Sequence, residues 1–391
     1  MPDAGRPPPL DEPTGGPLDG VLVADFSRVL AGPYATMLLA DLGATVIKVE
    51  GPTGDDTRTW QPPVREDTST YYLSINRNKR SIALDLADTG DLAVARELAA
   101  RADVLVENFK PGGLVRFGLD HDTVRTVNPS VVYCSISGFG SAGGAHLPGY
   151  DLLVQATSGL MSLTGDAEGP PYRAGVAVFD VMTGLHAGMG ILAALHHRAS
   201  TGEGQHVETN LLSSALSCLV NQTSAYVAGG VVPTRMGNAH PSLFPYEPLP
   251  TGDGDLIIIA ANNGQFRKLC DAIGAPELPD DPRFTTMVER TARRAELRPL
   301  LLAKLAARGA QEWFEILTGA GVPCGPINTV DQGVALADSL GLDPVVHPGG
   351  TPSVRNPVQY SATPPSYRRP PPGLGEDAAE VRAWLQRPSG G

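Results

Sequence analysis

Residues 21–26 read VLVADF, residues 32–42 read GPYATMLLADL and residues 44–50 read ATVIKVE. The first segment is a short apolar run that suits a buried strand, and Gly32 and Pro33, which follow it, mark a break before the next element. Tyr34–Leu42 has helical apolar spacing, and the last segment alternates like a strand. A strand, a helix and a strand of these lengths predict two parallel strands joined by a crossover.

The same alternation continues along the chain. Ser81–Leu86, Val104–Glu107 and Val131–Ile136 are further strand candidates, and Asp91–Ala102 places its apolar residues on one helical face. Parallel neighbours in a sheet need crossover helices of this kind. The first half of the chain therefore predicts an α/β fold with a mostly parallel sheet.

The middle of the chain changes character. Val181–Leu195 is rich in glycine and alanine and predicts a tightly packed, buried helix, and Leu211–Ala228 predicts a long helix. Residues 229–250 are irregular and rich in proline, which marks the entry to a second module. We expect a flexible lead at 1–16, a large domain at 17–228, a small domain at 229–325, and a return to the large domain with a C-terminal tail at 326–391.

Composition limits the possible functions. The chain has 391 residues and a net charge of −12, which disfavours nucleic acid and anionic membranes as partners. No segment has the uncharged apolar length that a membrane span needs, and residues 1–16 do not have the pattern of a secretory signal. The four cysteines and eight histidines lack zinc or disulfide spacing. We expect a cytoplasmic protein without a metal, and an anionic ligand would need a local basic patch such as Arg77–Arg80.

Common catalytic motifs are absent or incomplete. Gly138, Gly140 and Gly143 have dinucleotide-binding spacing, but Pro148 and Gly149 follow where that fingerprint requires a helix. No GxSxG or P-loop sequence occurs.

Asp180 is a carboxylate in an unusual context, because apolar residues flank it on both sides in AGVAVFDVMTG (174–184). Position alone favours a helix N-cap, which would accept backbone N–H bonds. A nucleophile is the alternative, and the two roles are compatible because a helix N-terminus favours an ionised carboxylate.

The chain resembles the class III CoA-transferases, the CaiB/BaiF group that includes formyl-CoA transferase and has α-methylacyl-CoA racemases as relatives. The resemblance runs from about Pro17 to about Leu374. The segments that carry it are PLDGV (17–21), LAGPYA (30–35), LGATVIKVE (42–50), NKRS (78–81), VENFKPG (106–112), GYDL (149–152), TGEGQ (201–205) and GVPCGP (321–326).

This resemblance implies a Rossmann-like large domain built from N- and C-terminal parts, a smaller α/β domain and an interlocked homodimer. It also implies that CoA and acyl-CoA are substrates, with no permanently bound cofactor, and that Asp180 is the nucleophile with Tyr150 and Asp151 beside the thioester. An arginine that contacts CoA in the family is Gly51 here, so Arg28 and Lys79 are candidates to replace it. The CoA-binding positions that the resemblance implies are Val29, Leu30, Ala31, Leu84, Ala87, Asn108, Phe109, Lys110 and Arg116.

The racemase relatives imply a different chemistry. They use a histidine where this chain has Tyr150, and a glutamate near the turn at 261–266, which reads ANNGQF. Proton exchange at a carbon needs two such groups, so their loss favours CoA transfer. The same turn, with RMGNAHPS at 235–242, is similar to the subgroup that uses dicarboxylic acids such as succinyl-CoA. A racemase or isomerase and a non-catalytic acyl-CoA-binding protein remain as alternatives.

Overall fold

The central sheet of the large unit has six parallel strands, which lie side by side in the order Lys79–Ala83, Thr45–Glu50, Leu22–Asp25, Val104–Glu107, Val132–Ser137 and His206–Asn210. The computed structural model describes residues 10–387, so part of the predicted lead at 1–16 lies outside the described residues. The strands are β1 (Leu22–Asp25), β2 (Thr45–Glu50), β3 (Val64–Arg65), β4 (Thr68–Ser69), β5 (Lys79–Ala83), β6 (Val104–Glu107), β7 (Val132–Ser137), β8 (His206–Asn210), β9 (Tyr246–Pro250), β10 (Asp255–Ile259), β11 (Cys324–Gly325), β12 (Val345–Val346) and β13 (Ser353–Val354).

The helices alternate with these strands in the first half of the chain, as the apolar spacing predicts. They are α1 (Ala31–Asp41), α2 (Thr70–Ile75), α3 (Thr89–Arg101), α4 (His121–Val127), α5 (Asp151–Thr157), α6 (Leu160–Leu163), α7 (Val178–Thr201), α8 (Leu211–Cys218), α9 (Val220–Val227), α10 (Asn263–Ala272), α11 (Met287–Ala292), α12 (Arg294–Leu305), α13 (Ala310–Gly319), α14 (Val330–Ser339) and α15 (Ala378–Leu385).

The chain divides into two units. Unit 1 holds the described residues up to Leu160, then 174–231 and 343–387, and unit 2 holds 161–173 and 232–342. The predicted small domain at 229–325 therefore differs from the observed unit at both ends. Its C-terminal limit is Leu342 rather than Gly325, because α14 belongs to the same unit.

Apolar residues fill both faces of the unit 1 sheet, because alternate side chains of a strand point to opposite faces. Val23, Val104 and Val132 pack on the side that α1 and α7 cover. Leu22, Leu105 and Ile82 belong to a second cluster on the other face with residues of α3 and α15. The result is three layers around one sheet, which is the arrangement expected for a parallel α/β fold.

Gly184 allows α7 to lie very close to α1. A Cβ atom at this position would come within 2.6 Å of the carbonyl oxygen of Ala31, so a larger residue would push the two helices apart. This close contact holds the first turn of α7, which contains Asp180, against α1.

The structure corrects two predictions about the helices. The predicted helix at 211–228 is two helices, because Val220 adopts a left-handed φ of 41°. The helix predicted to be buried is covered on one face only: Ala187 and Ile191 are fully buried, whereas Met189 is 65% exposed.

Among the described residues, α7 is also the one helix that has the length and composition to cross a bilayer. Its buried face lies in the unit 1 core.

Unit 2 has its own small core. Its three-stranded antiparallel sheet has the order β11–β10–β9. Leu256 and Ile258 of β10 pack with Phe266, Leu301 and Trp313 from the surrounding helices, and all five are buried. A separate core of this kind is expected for a distinct module rather than an extension of the large sheet.

Candidate active site

The strand order places a crevice beside β1. The chain leaves β1 toward β2 on one side, and β6 lies on the other side, so the loops that follow β1 and β6 diverge from this point. Ligands of doubly wound sheets bind at such a switch point, at the carboxyl ends of the strands. The predicted CoA-binding residues 28–31 and 108–110 lie in these two loops.

Arg28 and Asn108 join the two loops. The backbone N–H of Arg28 donates to Oδ1 of Asn108 at 2.9 Å, and Nδ2 of Asn108 donates to the carbonyl of Arg28 at 2.8 Å. The side chain of Arg28 is 56% exposed, with its guanidinium 6.0 Å from the ring centroid of Phe109. This side chain is therefore free to approach an anionic ligand at the crevice.

The other predicted CoA-binding residues lie around the same edge of the sheet. Lys110, Arg116 and Ala87 are exposed, whereas Leu84 is buried after β5. Leu30 and Ala31 are buried at the start of α1, and Val29 precedes them with a left-handed φ of 66°.

Lys79 is fully buried, which removes one of the two candidates to replace the family arginine. Its side chain is 0% exposed, and its ammonium donates to Asp25, to the carbonyl of Pro33 and to Asn76. Burial lowers the pKa of Lys79 to about 8 although Asp25 lies beside it. The charge of Lys79 is used inside the protein, so Arg28 is the remaining candidate of the two.

Asp180 lies in the first turn of α7, three residues after the N-cap residue Ala177. The predicted N-cap role falls to another residue, Asp151, whose Oδ1 accepts the backbone N–H of Phe179 at 2.8 Å and of Asp180 at 3.2 Å. Asp151 is buried, and its other oxygen accepts a hydrogen bond from Gln155. The carboxylate of Asp180 is thereby released from capping the helix.

The Asp180 carboxyl group is partly buried and accepts no hydrogen bond from another described residue. Burial, and then the nearby negative charge of Asp151, raise the pKa of Asp180 to about 7. Near neutral pH the group is ionised in a large fraction of molecules but poorly solvated. A poorly solvated carboxylate is a stronger nucleophile than one in water.

Tyr71 is a further candidate site residue, which the sequence analysis did not name. Burial, followed by the charges of Asp180 and Asp151, raises the pKa of Tyr71 to about 12, which places its phenol in the field of both carboxylates. The hydroxyl therefore stays protonated and can donate a hydrogen bond. The pair of tyrosines at 71 and 72 was the available signal, but only the fold separates Tyr71 at the site from the fully buried Tyr72.

A cavity of about 620 Å³ lies beside Tyr71. Trp60 forms part of its wall and meets the Tyr71 ring edge to face, with 5.0 Å between ring centroids. Thr59, Gln61, Thr70 and Ser74 add polar groups to the lining. Aromatic walls with a few polar groups are typical of small-molecule sites.

Tyr150 lies at the N-cap of α5, immediately before Asp151. Its side chain is 68% exposed and forms no hydrogen bond with another described residue.

Among the described residues, no group of three or more His, Cys, Asp or Glu side chains has the arrangement of a metal site.

A Rossmann-type strand order, two loops joined at the switch point and a partly buried carboxylate in the first turn of a helix are consistent with an enzyme that binds a nucleotide-containing substrate. The chain belongs to CoA-transferase family III, whose family model matches residues 18–378. It is a CoA-transferase, as its relatives at high coverage are.

Two curated relatives are similar over almost the whole chain. A succinate–glutarate CoA-transferase of Agrobacterium fabrum is 44% identical over 95% of this chain and 96% of its own length. The human succinyl-CoA:glutarate CoA-transferase is 43% identical over 93% of this chain and 85% of its own. A crystal structure of a CaiB/BaiF family protein from Brucella suis superposes with a TM-score of 0.86 at 42% identity, covering 95% of this chain and 100% of that one.

Proposed function

We propose that this enzyme moves CoA from a dicarboxylic acyl-CoA, of which succinyl-CoA is the first candidate, to a free carboxylic acid, and that Asp180 carries the acyl group and then CoA covalently. The observation that carries this proposal is the state of the Asp180 carboxyl group, which is partly buried, accepts no hydrogen bond from another described residue and has a pKa raised to about 7. The succinate and glutarate substrates in the names of the two relatives support the choice of acids.

The chemistry proceeds in four attacks. An oxygen of Asp180 attacks the thioester carbonyl, the C–S bond breaks, and CoA leaves as the thiolate, which gives a mixed anhydride. The thiolate then attacks the Asp180 carbonyl of that anhydride and releases the donor acid as its carboxylate. The acceptor carboxylate attacks the resulting Asp180–CoA thioester and again expels the thiolate. A last attack by the thiolate on the acceptor carbonyl gives the new acyl-CoA and restores Asp180.

Each attack places negative charge on a carbonyl oxygen, so the site needs hydrogen-bond donors. The Tyr71 hydroxyl is suited to this role because its high pKa keeps the proton on the phenol. The resemblance assigns a similar place to Tyr150. Asp151 acts through Asp180, by holding the backbone at the start of α7.

The loops at the switch point hold CoA in this proposal. The side chain of Leu30 does not cap the α1 N-terminus, so the N–H groups of Ala31 and Gly32 and the positive end of the helix dipole suit a phosphate group. Arg28, Lys110 and Arg116 add positive charge at the same edge of the sheet. Unit 1 thus carries the CoA site, and unit 2 has the turn at 261–266 that the resemblance links to the choice of acid.

We also propose a homodimer that acts in the cytoplasm. The exposed apolar side chains of α7, α8 and α9 support the dimer, because patches of this kind commonly mark subunit interfaces. They are Leu185, Met189, Leu192, Leu216, Val220, Tyr226 and Val227.

A transfer assay tests the proposed reaction. The enzyme is incubated with succinyl-CoA and a panel of mono- and dicarboxylic acids, and new CoA esters are detected by mass. We expect glutarate or a similar dicarboxylic acid to be converted, and Asp180→Ala to abolish the conversion. Transfer at the wild-type rate by Asp180→Ala would contradict the covalent route.

The racemase alternative predicts a different result. A racemase exchanges the α-proton of a 2-methylacyl-CoA with solvent and needs no acceptor acid. We expect no deuterium incorporation at that carbon in heavy water, and incorporation without an acceptor would favour the racemase.

A further inference from the structure

Two buried lysine–aspartate pairs lie beneath the loop that follows β1. Lys48 Nζ is 2.8 Å from Asp55 Oδ2, and Lys79 Nζ is 3.1 Å from Asp25 Oδ2. All four side chains are 0% exposed, so none of them can touch a ligand in solution. A buried ion pair is a weak source of net stability, because desolvation offsets much of the attraction.

Both pairs bond to the backbone of the same loop. Lys48 donates to the carbonyl of Ser27 at 3.1 Å, and Asp55 accepts the backbone N–H of Val29 at 3.2 Å. Asp25 accepts the backbone N–H of Ser27 at 3.0 Å. The backbone groups at Ser27 and Val29 are therefore held by buried charges rather than by a neighbouring strand.

Val29 is the residue on which this arrangement acts. Its φ of 66° is in the left-handed region, which is strongly disfavoured for a β-branched side chain. Such a conformation persists only when the surroundings impose it. Asp55 bonds to the N–H group of that residue, and Thr57 and Lys48 in turn hold the Asp55 carboxylate.

We propose that Asp55, held by Lys48, is a positioning residue that keeps Val29 in its left-handed conformation, so that Arg28–Ala31 retain the shape that binds CoA. The inference rests on the proposed function, because that function assigns CoA to this loop. Asp55 does not touch CoA and takes no part in the acyl transfer. Its effect reaches CoA through the backbone of Val29.

A double-mutant cycle tests this role through CoA binding, measured by calorimetry without any turnover. The Val29 N–H lies 3.4 and 3.2 Å from the two carboxylate oxygens of Asp55. In Asp55→Asn an amide nitrogen replaces one of these oxygens and must face either Lys48 or the N–H of Thr57, so the side chain loses one of the two contacts that hold it and its bond to the Val29 N–H is weakened. We expect the Kd for CoA to rise about ten-fold, a factor in the range set by backbone strain. Glycine adopts a positive φ freely, so in a Val29→Gly background the same change should raise Kd less than about two-fold.

Asp41→Asn is the matched control. The pair between Asp41 and Arg77 is equally buried, with 2.6 Å between Oδ2 and Nη2, but it does not contact the loop at 27–31. Melting curves fix a temperature at which all variants are folded. We expect Asp41→Asn to lower thermal stability and to leave the Kd for CoA unchanged within about two-fold.

A milder variant covers the case in which Asp55→Asn does not fold. Thr57→Val removes only the hydroxyl bond to Asp55, which measures 2.7 Å, and we expect a smaller rise in Kd that also disappears with Val29→Gly. An unchanged Kd for CoA in the Asp55 or Thr57 variant overturns the inference. An equal rise in Kd in the wild-type and Val29→Gly backgrounds also overturns it, as does an equal rise in Kd in Asp41→Asn. If the wild-type enzyme itself does not bind CoA, the proposed function fails and the inference falls with it.

Discussion

The carboxylate of Asp151 accepts the backbone N–H of Asp180 at 3.2 Å. Asp151 therefore caps α7, the helix that carries Asp180 in its first turn. The cap leaves the Asp180 side chain free, and its negative charge adds to the effect of burial on the pKa of Asp180. The arrangement gives the proposed nucleophile a fixed backbone and a poorly solvated carboxylate at the same time.

The rate of transfer should depend on the ionisation of Asp180. Because burial and Asp151 raise its pKa to about 7, kcat/KM for the acyl-CoA should fall about ten-fold per pH unit below that value. Asp151→Asn removes the like charge and should move this acid limb to lower pH, but burial should keep it above the ordinary value of 3.8. The Kd for CoA, measured over the same range, separates this effect from titration of the substrate phosphates. An acid limb that Asp151→Asn leaves in place would contradict the assignment.

The ionised carboxyl group of Asp180 should also destabilise the folded protein. A carboxyl group whose pKa is raised on folding binds its proton more tightly in the folded state, so its ionisation favours unfolding above the folded pKa. Asp180→Asn should therefore raise the free energy of unfolding by about 1–3 kcal/mol at pH 8. Near pH 4 the group is protonated in the folded state, and the gain should almost vanish. Denaturant unfolding at the two pH values checks this, and an equal gain at both would refute the electrostatic origin.

Tyr71 and Tyr72 form a matched pair for testing the phenol donor. Tyr71→Phe should lower kcat about 10- to 100-fold, because it removes a donor to the charge formed in the transition state, with little change in stability. Tyr72→Phe removes two buried bonds of the hydroxyl, which donates to the carbonyl of Pro372 at 3.0 Å and accepts from Arg58 at 2.6 Å, and it should cost about 1–3 kcal/mol of stability with little change in kcat. Steady-state kinetics and melting curves of both variants distinguish the roles, and a reversed pattern would count against Tyr71.

Arg28 should act on CoA binding alone. Its side chain is 56% exposed and its nearest carboxylate oxygen, on Asp56, is 3.7 Å away, so Arg28→Gln should change stability by less than about 0.5 kcal/mol. We expect it to raise KM for the acyl-CoA roughly five- to ten-fold, with a weaker dependence on salt. Arg267→Gln, at a similarly exposed arginine paired with Asp280 in unit 2, is the control and should leave KM unchanged. Equal KM values for the two variants would remove Arg28 from the CoA site.

The sequence predicted the sheet well because its information is local. VLVADF and ATVIKVE become the neighbouring parallel strands β1 and β2, with small shifts at their ends. The apolar spacing of α7 predicted a helix equally clearly, but it did not predict that Met189 lies on an uncovered face. Which face of a helix is covered depends on elements that are distant in the chain.

The candidate site was harder to predict, because its residues depend on distant partners. Lys79 has the same side chain whether it binds a ligand or a buried aspartate, and its partner Asp25 lies 54 residues away. Asp180 was correctly expected near a helix start, but the cap is supplied by Asp151, 29 residues earlier. Tyr71 became a candidate only when the fold brought it into the field of both carboxylates.

The central claim is that Asp180 becomes covalently bound to CoA. The enzyme is incubated with succinyl-CoA without an acceptor, treated with borohydride and digested, and the peptide that contains residue 180 is analysed by mass. Borohydride reduces an aspartyl thioester to an alcohol, so the account predicts homoserine at position 180 in the treated sample only. An unmodified Asp180 in an enzyme preparation that actively transfers CoA would contradict it.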